Sequence, residues 1–91
     1  MLVTAAKAYR ITPIEVLDGS YAHAVEARQV LAAHLRERFF FSWPELARLF
    51  GYHHATMRGL VLGFSEKNRK HAAQIVWPDY AEHEDQAGHG A

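Results

Sequence analysis

Five residues in a row of six have side chains or surfaces suited to a polyanion: His53, His54, Ala55, Thr56 and Arg58. Imidazole can donate and accept toward base edges, and a hydroxyl and a guanidinium can hold phosphate oxygens. They follow a short apolar segment, Ser42–Phe50, and a turn built on Gly51, and they open a second apolar segment with Met57, Leu60 and Val61. A short helix, a tight turn containing glycine and a second helix make the helix-turn-helix plan. In that plan the first helix braces on the DNA backbone and the start of the second enters the major groove. Arg48 on the first helix and Arg58 on the second are then phosphate-contact candidates, weighed against plain solvated charge. An ordinary helical hairpin with a solvated polar face has the same spacing. Adjacent helical histidines point in different directions, so no metal site is expected of His53 and His54 without partners such as His83 or His89. If either imidazole titrates at such an interface, binding should strengthen as pH falls through about 6.5.

The elements that must position these residues are helical. Leu2, Val3, Ala6 and Tyr9 have the spacing of a short opening helix. Thr12-Pro13-Ile14-Glu15 is a capping box with proline in the first turn, and Asp18-Gly19-Ser20 is turn chemistry. The longest helical stretch runs from Tyr21 to Arg38, with Val25, Leu31, Leu35 and Phe39 as its buried side. Phe39-Phe40-Phe41 reads as a core plug at a helix corner, and Trp43 as core. A second capping box, Ser42-Trp43-Pro44-Glu45, opens a helix that turns Leu46, Leu49 and Phe50 inward and ends at Gly51. Ala47 is small where two helices must approach. The last helix starts near His54, carries Met57, Leu60, Val61 and Phe64 on one face and ends near Ala72. Lys67, Arg69 and Lys70 complement a helix C-terminus better than they suggest a contact. The expectation is all-α: a bundle of about five helices over residues 1–75, then an acidic, mobile tail over 76–91.

Composition bounds the alternatives. The 91 residues are 49% apolar and 22% charged, which is a single globular domain. No apolar run approaches the length of a membrane span, and Lys7 and Arg10 lie behind the first apolar residues, unlike a signal peptide. With no cysteine there is no disulfide and no thiolate chemistry, which fits a cytoplasmic location. Net charge is zero, but all ten Lys and Arg lie in residues 1–75 against six acids, and the other four acids fall in the last sixteen residues. The body is modestly basic. No nucleophile–base pairing, paired carboxylates or cofactor loop is present, so neither an enzyme nor a cofactor is expected.

Several segments, in order, resemble the C-terminal DNA-binding domain of the bacterial replication initiator DnaA, a Trp-repressor-like helix-turn-helix family. Leu2–Pro13 with Leu17 is similar to the family's first helix and its Ile-Thr-x-x-x-Leu segment. Ala27-Arg28-Gln29-Val30 is similar to Ala-Arg-Gln-Ile, and Arg36-Glu37 follows at the family's spacing. Ser42-Trp43-Pro44-Glu45-Leu46-Ala47-Arg48-Leu49-Phe50-Gly51 resembles Ser-Leu-Pro-Glu-Ile-Gly-x-x-Phe-Gly without a gap. The resemblance covers residues 2 to about 72. It implies that His53, His54 and Ala55 sit at base edges, that Thr56 contacts phosphate, and that Arg28 supports binding of the DNA backbone.

The chain also departs from that family. The signature Arg-Asp-His-Thr/Ser-Thr-Val has become Tyr52-His53-His54-Ala55-Thr56-Met57, so Tyr52 takes the arginine's place among the candidate DNA-binding residues and the family's usual target is not implied. The loop Asp18–Ala24 has Ser20, Tyr21 and His23 but no Lys or Arg, which weakens any minor-groove arm. No Walker-type phosphate loop is present, so no ATP-driven chemistry is expected of this sequence. The expected partner is double-stranded DNA in the cytoplasm of a bacterial or phage-infected cell, associated with the nucleoid, and not a membrane. A homodimer or a protein partner would help a small module gain specificity. The alternative is a protein-interaction adaptor on a helix-turn-helix that no longer reads DNA.

Overall fold

Two reciprocal capping boxes set the path of the chain. In the computed structural model, which describes residues 1–78, the Thr12 hydroxyl accepts from Glu15 N–H and the Glu15 carboxylate accepts from Thr12 N–H at 2.9 Å. Ser42 and Glu45 repeat the exchange. Each box satisfies helix-start donors that have no partner within the helix. They begin α2 (Pro13–Asp18) and α4 (Trp43–Phe50). The other helices are α1 (Leu2–Ala8), α3 (Ala22–Phe39), α5 (His54–Leu62) and α6 (Glu66–Ala73). The described residues are all-α. No helix among them is long and apolar enough to cross a membrane.

The expected last helix is two helices. Gly63 caps α5, and Ser65 starts α6 by accepting from Asn68 N–H at 3.1 Å. The periodic apolar pattern runs across this break because Phe64, between the helices, still packs on the core. The chain also keeps packing beyond residue 75. Ile75 and Trp77 lie against the core, and the Trp77 indole stacks on His34 at 4.1 Å and 8°. Burial and the neighbouring Arg38 hold the His34 imidazole below its usual pKa. Of the tail expected over residues 76–91, Trp77 is therefore part of the packed body, and residues 79–91 lie outside the described residues.

Helix α3 is the centre of the bundle and packs against α1, α2, α5 and α6. Its Ala24, Ala27, Val30, Leu31 and Leu35 are buried with Ala5, Ala6, Val16, Leu46 and Met57. Small residues on α3 let α2 come close: a Cβ on Gly19 would lie 2.6 Å from the Ala24 Cβ and 2.7 Å from the Glu15 carbonyl. A buried polar knot joins the remaining helices. The Tyr9 hydroxyl donates to Asn68 Oδ1, and Asn68 Nδ2 donates to the Glu26 carbonyl and to Gln29 Oε1, each at 3.3 Å. Gln29 Nε2 then donates to the Leu60 carbonyl at 2.9 Å. Burial, reinforced by Glu26, pushes the Tyr9 hydroxyl well above its ordinary pKa and keeps it a donor.

Three expected core positions are exposed instead. Leu49 is 47% exposed, Phe39 38% and Phe40 84%, while Phe41 and Trp43 pack on the core. Phe40 caps α3 in the left-handed region, φ 59°, where Phe41 N–H reaches back to the Leu35 carbonyl. That backbone turns the side chain of Phe40 outward, and a residue other than glycine bears about 1–2 kcal/mol for it. Arg36 fixes the corner by donating to the Phe41 carbonyl at 3.0 Å and lying 4.0 Å from the Trp43 ring centroid.

The capping boxes predict an acid-sensitive stability. A hydrogen bond from Tyr21, then those from Thr12, hold the Glu15 carboxyl below its ordinary pKa, and the Ser42 backbone and side chain do the same for Glu45. The stability these groups bring is present above the unfolded carboxylate pKa and is lost as pH falls through the lowered folded value. Thermal melts between about pH 3 and 6 should therefore show falling stability, with a shallower slope in the Glu15→Gln, Glu45→Gln double variant. An unchanged slope would contradict the assignment.

Candidate nucleic-acid interface

Gly51 makes the turn between α4 and α5 possible. It sits at φ 74°, and Tyr52 N–H closes the end of α4 on the Ala47 carbonyl at 2.9 Å. A Cβ at Gly51 would meet nothing within 4 Å, so Gly51→Ala should cost only the conformational term, about 1 kcal/mol. Urea unfolding would measure it. Ala47 is buried at the helix crossing, as its size suggested.

After that turn His53 is the N-cap of α5, not a helical residue. Its backbone is extended, and its Nδ1 accepts from Ala55 N–H at 3.2 Å. The accepting nitrogen carries no proton, so Nε2 carries it as a donor. Because His53 lies outside the helix and His54 is its first residue, the two rings do not diverge. They stack with centroids 4.3 Å apart.

Helix α5 separates its faces sharply at its start. Met57 is fully buried, whereas His54, Ala55, Thr56, Arg58 and Gly59 are exposed. Ala55 and Gly59 are one turn apart on this side, and a Cβ at Gly59 would meet nothing within 4 Å. That leaves a low strip beside His54, Thr56 and Arg58 on which another surface can come close to the helix backbone. Arg48 is exposed on α4. The structure thus brings His53, His54, Ala55, Thr56 and Arg58 together at one helix start.

Arg28 and Tyr52 belong elsewhere, which corrects the expectation for both. Arg28 is only 3% exposed. Its Nε donates to the Val16 carbonyl and its Nη2 to the Gly19 carbonyl, both at 2.7 Å, with the Glu15 carbonyl at 3.5 Å. These oxygens are at the end of α2, where helix carbonyls lack helical partners and carry partial negative charge. The guanidinium is spent on them and cannot lie on a phosphate. Its Nη1 donates to the Tyr52 hydroxyl at 2.5 Å, and Tyr52 is half-buried. Together the pair ties the end of α2 to the residue just before the α5 cap. An arginine in a helical sequence gives no sign of this, because its type suggests the surface.

The expected loop Asp18–Ala24 shrinks to residues 19–21 between α2 and α3, and it holds no Lys or Arg. Tyr21 is exposed, but its hydroxyl donates to the Glu15 carboxylate that caps α2. Asn68, which the sequence did not single out, and Tyr9, legible there only as a residue of the opening helix, hold α6 against the rest at a separation of 59 residues. No family model, no curated protein and no solved structure matches the chain.

Proposed function

We propose that this chain is a sequence-specific double-stranded DNA-binding module that reads the major groove through the start of α5, as a transcription or replication-origin regulator in the bacterial cytoplasm. The observation that carries this reading is the exposed row His54, Ala55, Thr56 and Arg58, directly after a glycine turn and opposite the buried Met57. The order of motifs similar to the DnaA DNA-binding domain supports the same assignment. In this reading exposed His54 and the Nε2–H of exposed His53 meet base edges, Ala55 allows close approach, and Arg48 and Arg58 neutralise phosphates. With Arg28 committed to the interior and no basic loop, few cations remain on this side. That scarcity favours the second reading, an adaptor that uses the same fold to hold a protein.

Binding of labelled duplexes across a salt series separates the two. Two arginine–phosphate contacts give a slope of log K against log salt of roughly −2, and Arg48→Ala or Arg58→Ala each makes it shallower by about 1. Variants that bind DNA as the parent does, with the same slope, would remove these arginines from the interface.

A further inference from the structure

We propose that the chain pairs with a second copy of itself through an aromatic groove at the far end of α5 from His54, each copy seating Phe40 in the groove of the other. The groove, of about 760 Å3, is walled by Val61 and Phe64 beside α5 and α6, by Phe41 and Trp43 at the corner, and by His34 and Trp77. Phe40 stands on its rim, 84% exposed and in a left-handed backbone. Among the described residues nothing offsets either feature, because the ring leaves the core that Phe41 and Trp43 join. A projecting aromatic and a socket of aromatic rings on one face are self-complementary, as a two-fold pairing requires. Aromatic anchors in such pockets dominate association energetics.

Charge points to a second copy as the occupant. Three charged residues line the groove: Arg36, which is held on the Phe41 carbonyl and the Trp43 ring, exposed Glu37 on α3, and exposed Arg69 on α6, whose Nε donates to the Phe64 carbonyl at 3.3 Å. A two-fold pairing that crosses the groove can set Glu37 of one copy against Arg69 of the other. The chain has ten basic and ten acidic residues, so no net charge opposes two copies meeting. Pairing here covers the C-terminal end of α5 and leaves His54, Thr56 and Arg58 free in both copies. Two recognition helices in one particle fit the need of a small module for two half-sites. The pairing itself does not rest on DNA binding.

Sedimentation equilibrium of the full chain, without DNA and over roughly a hundredfold range of concentration, tests it. The parent chain should pass from monomer to dimer. Phe40→Gly removes the ring and suits the left-handed backbone, so its folding is retained while its dimer dissociates at least about tenfold more readily. Ala73→Arg, an exposed groove residue at the C-terminal end of α6, should block the socket with a cation that this helix end tolerates. Circular dichroism of both variants confirms the fold. A parent chain that is monomeric throughout would overturn the proposal. So would a dimer that neither substitution weakens, which would place self-association on another face.

Discussion

Replacing Arg28 with leucine should lower the unfolding free energy by about 3–5 kcal/mol, enough to leave little folded protein if total stability is near the low end for small domains. Leucine fills the volume but donates nothing, so the Val16 and Gly19 carbonyls and the Tyr52 hydroxyl lose the group that satisfies them. Hydrogen bonds from a charged donor are worth about 1.5–3 kcal/mol each, and the acceptors left behind in a dry site add to the loss. Tyr52→Phe removes a single acceptor of that charged donor and should cost about 1.5–3 kcal/mol. Urea unfolding of the two single variants and the double variant forms a cycle. The double variant should lose less than the two single losses added together, because Arg28 and Tyr52 share a hydrogen bond. Were Arg28 a surface contact to phosphate, Arg28→Leu would leave stability almost unchanged and weaken only DNA binding.

The second large effect separates stability from binding. Ala55→Glu places a carboxylate in the first turn of α5, where it faces solvent and the positive end of the helix. Negative charge there stabilises a helix by about 0.3–1 kcal/mol. The same charge on the proposed DNA-facing side meets phosphates and acceptor-rich base edges, and like-charge contact across an interface costs several kcal/mol. The variant should melt at or above the parent temperature and bind duplex DNA about a hundredfold more weakly or worse. Thermal melts beside fluorescence anisotropy would show it. Binding equal to the parent would move the DNA to another face.

What could be read from the sequence was local. The capping boxes at Thr12 and Ser42, the glycine at position 51 and the helical spacing of the long α3 each act within a few residues, and the structure has them where they were expected. The break between α5 and α6 is hidden in the sequence because Phe64 keeps the apolar rhythm while belonging to neither helix. The three phenylalanines at the corner resemble core in composition, yet one left-handed residue sends Phe40 outward while Phe41 turns in. For the candidate interface, the row from His53 to Arg58 was legible because one helix start presents it. The place of Arg28 is not legible because all its partners but the Tyr52 hydroxyl are backbone carbonyls, which no side-chain pattern announces. The stacking of His53 on His54 depended on whether the first lies in the helix or caps it, a difference of one residue.

Selection from a random duplex library at low salt, run with the parent chain and with His54→Ala, tests the central claim most directly. His54 is exposed at the first position of α5, so its loss should leave the fold intact while removing base contacts worth about 1–3 kcal/mol of discrimination. An enriched motif that collapses with His54→Ala is the result predicted for a major-groove reader. Flat enrichment by the parent chain, or a motif that His54→Ala leaves unchanged, would contradict it.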